Sequence, residues 1–376
     1  MFPKKLWWYP LIFGMLGAFI GLVLRYAYTG AISGFPFKNV MHSHSHVLLL
    51  GFIFNSLLIL VWTNFTQGID KISYRYYVAL QVCIALMLVT FILQGYDFFS
   101  ILFSSLHLWI SYILLIRLWR QLNDNKTINT FIKIGIVFHF LSSVGPYVLG
   151  PLMILEMQAS PLYEQSIFFY LHFQYFGIFF VWMLAVLVQK TAVILSNKQL
   201  VIIAISLALL FAHSLDYSYD HWSINVIGGL GSILLLGVLL SFKRYFQKGQ
   251  RAFKFIYIII LFVALVNIIG SIPIIANRVA ESRLLLIGWL HLLFIGLYVP
   301  FIWVLLKQNI SLLIWVIYGF MFAITEIVLV FPAMITQWIP IPIMWLLFLA
   351  YTGVFICICL VHIQLLSEKR NEINLR

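Results

Sequence analysis

Polar residues divide the chain into twelve apolar runs, each close to the length that crosses a bilayer. About 20 apolar residues carry a helix through the hydrocarbon core. Runs of that kind fall near 7–28, 45–65, 74–95, 98–122, 128–150, 166–190, 198–216, 221–242, 253–276, 284–306, 309–332 and 338–365. The connections are short, and no soluble domain or low-complexity tract interrupts them. The pattern predicts an all-α integral membrane protein, with 1–376 forming one polytopic membrane domain. Lys4 and Lys5 precede the first run as they would in a signal peptide. That run continues to about residue 28 without a small-residue cleavage site, so it reads as a retained span.

Composition agrees with the pattern. Hydrophobic residues make up 63% of the chain and charged ones 9%, against about a quarter charged in a soluble domain. So little polar surface could not keep the chain dispersed in water, and the lipid bilayer is its first partner. A net charge of +12 would point a soluble protein towards nucleic acid. Here the cations stand in short clusters between apolar runs, which is a topology signal and argues against nucleic acid. Cys83, Cys357 and Cys359 form neither a haem-attachment nor a zinc-finger spacing and read as core thiols.

Lys and Arg collect on the cytoplasmic side of membrane proteins. With the N-terminus inside, only Arg25, Lys38, Arg278 and Arg283 fall outside, leaving 19 of the 23 basic residues inside. An even number of spans with both termini in the cytoplasm follows, and a bacterial inner membrane is the expected location. Under this topology His42, His44, His46, His172, His213, His221 and His291 lie in the outer half. His107 and His139 lie near mid-depth, and His362 at the cytoplasmic interface. Ionisable side chains within a membrane are functional suspects.

Three of these histidines share a pattern. His46 is followed five residues later by Gly51, His172 by Gly177 and His291 by Gly296, at the outer ends of the second, sixth and tenth runs. The histidines stand 126 and 119 residues apart. This predicts three four-helix repeats, approximately 1–122, 123–242 and 243–376. Imidazole is the usual axial ligand of a b-type haem and a common copper ligand. A glycine close by admits a flat macrocycle or a neighbouring backbone.

Twelve spans in three four-helix arcs, with histidines at the outer ends of spans two, six and ten, resemble subunit I of the haem–copper oxidases. That superfamily includes the nitric oxide reductases. The arrangement is also similar to the NnrS family of twelve-span membrane proteins. The resemblance implies that His46 and His291 are the axial pair of a low-spin haem b and that His172 is a copper ligand. It further implies haem propionates at the outer face, where Arg25, Lys38, Arg278 and Arg283 would pair with them. A redox partner protein or quinone would then supply electrons. The departures are specific. Trp289 stands where the high-spin haem ligand belongs, Phe176 replaces the cross-linking tyrosine, and the His-His pair of span seven is absent. Only His213 and His221 lie near its place. A degenerate member that keeps one haem and does not reduce oxygen to water is the expectation.

Other residues admit two roles each. His42 and His44 are placed in the outer loop, beside His46, as copper-recruiting or merely solvated groups. His107 and His139 read as a relay or metal pair, or as hydrogen-bonded packing residues. His213, Asp216, Asp220 and His221 form an outer cluster of metal-ligand type, or an ordinary acidic loop. Arg283 can pair with Glu281. Glu326, alone in span eleven, reads as a proton carrier or a packing residue. The functional expectation is a haem-binding, copper-accepting membrane protein in electron transfer or in handling or sensing nitric oxide or oxygen. The alternatives are a twelve-span secondary transporter and a copper-handling permease. Against the first, transporters usually show two six-span halves.

Overall fold

The computed structural model describes residues 3–374 apart from 124, 220, 308, 333, 334 and 336–340. Twelve of its helices are long and apolar enough to cross a membrane. In chain order these spans are Trp8–Tyr28, Phe37–Phe65, Lys71–Gln94, Phe98–Gln121, Lys126–Ile154 and Pro161–Thr191, followed by Asn197–Leu215, Trp222–Ser241, Arg251–Gly270, Arg283–Leu306, Leu312–Val330 and Ile343–Glu368. No strand occurs among the described residues. The protein is therefore a multi-pass membrane protein.

Helix starts follow from capping chemistry. The first backbone N–H groups of a helix lack partners, and short polar side chains supply them. Asp70 accepts from the Ser73 N–H, Asn125 from that of Ile128, and Ser160 from that of Leu162. Ser196 and Gln199 form a reciprocal capping box. His221 also caps, its side chain accepting from the Ser223 N–H at the start of span eight.

Three spans outrun their apolar stretches. Span two starts at Phe37, span five runs on to Ile154, and span six starts at Pro161. His42 and His44 accordingly sit on a helix, Phe37–His46, and not in an outer loop. The helix tolerates this polar stretch because several of its side chains find partners at once. Ser43 Oγ donates to the Leu88 carbonyl at 2.9 Å and Ser45 Oγ to the Met41 carbonyl at 2.9 Å. His46 Nδ1 bonds the His42 carbonyl at 2.9 Å.

The chain divides into two compact units, residues 1–121 with 294–376, and residues 122–293. In the first, span one packs against spans two and twelve, span three against two and four, and span eleven against twelve. In the second, span five packs against six, seven against eight, and eight against nine. The division falls inside span ten.

Each of the three His–Gly motifs sits at a change of helix type. His46, His172 and His291 are the last residues of α-helical stretches. The π-helical segments Val47–Phe54, Phe173–Phe179 and Leu292–Tyr298 follow them immediately. A π-turn bonds residue i to i+5, and such turns are rare and cluster at functional sites. The five-residue step from His to Gly is the step of that turn. These spans are also the most enclosed by protein, with 83%, 94% and 56% of their apolar windows buried. Asn55 Nδ2 closes the first widened turn by donating to the Gly51 carbonyl at 2.9 Å and to Gln81 Oε1 at 2.8 Å.

At the opposite membrane face a polar clamp joins spans three and four. Asp70 receives the Arg117 guanidinium at 2.5 Å and Gln121 Nε2 at 2.9 Å, while Arg117 Nε reaches Ser73 Oγ at 2.8 Å. Partial burial alone would raise the Asp70 carboxyl, but hydrogen bonds from Ser73 and Arg117 outweigh it and hold it at about 2, below the ordinary 3.8. A carboxyl depressed by folding stabilises the fold above its unfolded value and loses that contribution as pH falls through its folded value. The stability gap between the wild type and Asp70→Asn should therefore be full above about pH 4. It should close as pH drops towards about 2, as read by thermal unfolding in buffered detergent. A gap independent of pH would remove the clamp from the account.

Candidate functional site

In the first unit, the N-terminal half of span two carries an aromatic and imidazole cluster. Because the bond to the His42 carbonyl occupies His46 Nδ1, its proton sits there and Nε2 holds the lone pair. The His46 ring stacks on Phe91 with centroids 4.4 Å apart. His42, one turn away, packs edge-on against Tyr96 at 4.5 Å. His42 Nε2 is buried with no hydrogen-bond partner among the described residues.

Beside this cluster lies a buried ion pair. Arg25 on span one is 3.8 Å from Glu326 on span eleven, with side chains 10% and 15% exposed. The guanidinium sits over the Tyr351 ring, 4.7 Å from its centroid. Thr325 Oγ1 donates to Glu326 Oε1 at 2.8 Å, and Tyr351 donates to the Ala18 carbonyl at 3.3 Å. His44 Nδ1 bonds the Gly17 carbonyl at 2.8 Å on the same face of span one. A charge inside a membrane is costly unless paired, and this arrangement supplies the pairing. Glu326 is thus not alone in its span's surroundings, and Arg25 has a carboxylate for a partner.

His362 is enclosed by protein. It is fully buried, with Nδ1 bonded to the Leu11 carbonyl at 3.0 Å and its ring 6.2 Å from that of Trp303. It is packed inside the first unit, near the start of span one and the end of span twelve. Its Nε2 has no hydrogen-bond partner among the described residues. His107, also of this unit, is buried with its ring 6.1 Å from Phe54.

The second unit holds a separate polar core. Gln174 Nε2 bonds His139 Nδ1 at 3.0 Å and Ser142 Oγ at 2.8 Å, joining spans five and six. His172 Nε2 bonds the Leu207 carbonyl at 2.8 Å on span seven, so its proton is on Nε2 and only Nδ1 offers a lone pair. His213 Nε2 lies 3.3 Å from Ser232 Oγ. Trp289, in the place of the missing ligand, packs on Phe176 at 6.0 Å and is a hydrogen-bonding neighbour of Tyr175.

The remaining expected residues are spread out. His291 is half-buried at its helix end, and Arg278, Arg283 and Lys38 are exposed. His221 is exposed and engaged in capping. Asp220 and the side chain of Asp216 lie outside the described residues. Gly51 faces Phe13 and Ile84, each 3.0 Å from where a Cβ would sit, and Gly177 faces Phe138 at 2.7 Å. What comes close to these glycines is a neighbouring span's side chain. Among the described residues no three His, Cys, Asp or Glu converge as a metal site. His46 and His291 belong to different units. No family model matches the chain, and no curated protein is significantly similar to it.

Sequence reasoning missed Tyr351, Gln174 and His362 as parts of these clusters. Tyr351 and Gln174 lie in apolar runs whose local pattern carries no signal of a distant partner. His362 could have been noticed as an imidazole six residues inside its span's end.

Proposed function

We propose that the chain is a membrane haem protein, related in design to subunit I of the haem–copper oxidases, with His46 as an axial ligand of a b-type haem. The observation that carries this reading is the tautomer of His46. A histidine ligand ordinarily donates its other ring N–H to a carbonyl, which fixes the ring and makes the ligating nitrogen more basic. His46 does this through the His42 carbonyl. The widened turn that follows and the stacked Phe91 ring support it further, as does the orphaned His42 Nε2 one turn away. His291 precedes a like turn in span ten, in the other unit. A haem held there would supply one-electron transfer or binding of a diatomic gas. The residues' own part is to fix the imidazole and exclude water. His172 fits an Nε2 ligand poorly because that atom holds the Leu207 carbonyl, so copper is not part of the proposal.

The test is the absorption spectrum of the full chain purified from haem-replete bacterial cells. A low-spin b-type spectrum is expected, lost or converted to high spin in His46→Ala and unchanged in His221→Ala. Haem-free wild type, or a spectrum that survives His46→Ala, overturns the reading.

A second reading rests on the Arg25–Glu326 pair. A buried, neutralised charge pair inside a bilayer is also what a proton-coupled transporter uses. Haem-free protein that moves protons in vesicles only while Glu326 is intact would select it.

A further inference from the structure

Where spans six and eight end and span nine begins, the second unit has an open cavity of about 940 Å³ at its surface. It lies between the connection from span six to seven and that from span eight to nine, which alternation puts on the same face. Lys190, Arg244 and Lys248 line it, with Thr191, Ser241, Tyr245 and Gln250 as further polar groups and Phe253 as an apolar wall. No carboxylate lines it, and the sequence has no Asp or Glu between residues 221 and 280. Among the described residues none of the three cations is in an ion pair. Three exposed cations facing one concavity without a counter-ion give it a positive field that attracts anions.

The frame around the cavity is fixed. The short helix Lys243–Lys248 is pinned by Phe246, buried and stacked on Tyr257 with centroids 4.3 Å apart and planes 6° apart. Tyr257 donates to the Leu239 carbonyl at 2.8 Å. Gln199 Nε2 donates to Ser241 Oγ at 2.9 Å, tying the start of span seven to the end of span eight. A guanidinium and two ammonium groups on such a frame match a phosphate, the guanidinium as a planar fork and the ammoniums as point charges.

We propose that this cavity binds the head group of an anionic phospholipid. Size and setting choose a lipid over a free phosphate. The cavity far exceeds one phosphate ion, and it opens at the ends of spans, the depth at which head groups lie. Span nine, whose Phe253 lines the cavity, presents Phe255, Ile258 and Phe262 on its exposed face, a surface suited to acyl chains. The charge distribution puts this end at the cytoplasmic leaflet, where anionic lipids and polybasic segments meet.

The test titrates the full chain in neutral detergent with phosphatidylglycerol, phosphatidylcholine and inorganic phosphate, reading retained lipid by native mass spectrometry. Phosphatidylglycerol should be retained over phosphatidylcholine, and inorganic phosphate should not displace it. The triple variant Lys190→Gln, Arg244→Gln, Lys248→Gln should weaken retention on the order of 100-fold, and each single variant about fivefold. The single variants decide the matter if the triple variant is not recovered. Lys71→Gln, Arg75→Gln, Arg120→Gln removes the same charge from the same face elsewhere and should change nothing. Equal retention of the two lipids, displacement by inorganic phosphate, or equal loss in both triple variants overturns the proposal.

Discussion

Glu326→Gln should destabilise the protein by about 3 kcal/mol, and Arg25→Leu with Glu326→Leu together by clearly less. Breaking a buried pair by removing one partner leaves an uncompensated charge in a low-dielectric site, which typically costs about 3–5 kcal/mol. The guanidinium of Arg25 is 8% exposed by residue, sits over Tyr351 and faces Glu326 at 3.8 Å. Glutamine keeps the shape and the acceptor for Thr325 but not the charge. Replacing both partners by apolar groups removes the desolvation cost together with the attraction. Thermal unfolding in one detergent of Arg25→Leu, Glu326→Leu and the double variant, run as a double-mutant cycle, measures the coupling. A double variant as unstable as the sum of the two singles would mean that the pair is not coupled.

Gly145→Val should be the second severe change. Gly145 lies in span five against the backbone of span six. A Cβ there would collide with the Ser166 carbonyl oxygen and stand 3.0 Å from Tyr170 Cβ and 3.1 Å from Tyr170 N. Overpacking against side chains costs about 1–3 kcal/mol and can be partly relaxed; a backbone carbonyl in a helix cannot turn aside. Pro146 follows directly and further restricts any side chain at 145. The expected loss is therefore at or above the upper end of that range. Gly237, in span eight, has nothing within 4 Å of its Cβ position. Gly237→Ala should be neutral or stabilising by up to about 1 kcal/mol through helix propensity. The ranking of the two variants by unfolding temperature checks the argument, and a Gly145→Val protein as stable as Gly237→Ala would refute it.

The membrane spans were readable because a bilayer demands a run of apolar residues that nothing in the chain disguises. Some of their ends were less readable, where packing puts polar residues on helix. From Asn39 to His46 the composition looks like a loop. The helix there persists because Ser43, Ser45 and His46 each spend their polar atoms on nearby carbonyls. The recurrence of His and Gly five apart was visible, but its conformational meaning was not. Propensity does not distinguish a π-turn from an α-turn, and the spacing was its only trace. Partners far apart in sequence left no local sign at all. Nothing near Arg25 announces Glu326, and nothing near His362 announces the Leu11 carbonyl. His42 and His362 share one property, a buried Nε2 without a partner, that only packing could reveal.

The Arg25–Glu326 pair also governs how the protein meets an electric field. A unit charge moved across a potential of 100 mV changes energy by about 2.3 kcal/mol. A cation and an anion 3.8 Å apart are pushed in opposite directions, and the net force on the pair is close to zero. The pair is in this sense voltage-silent, although it carries a full guanidinium. Neutralising Glu326 would leave that charge unbalanced, and the first unit would then respond to the membrane potential of the cell.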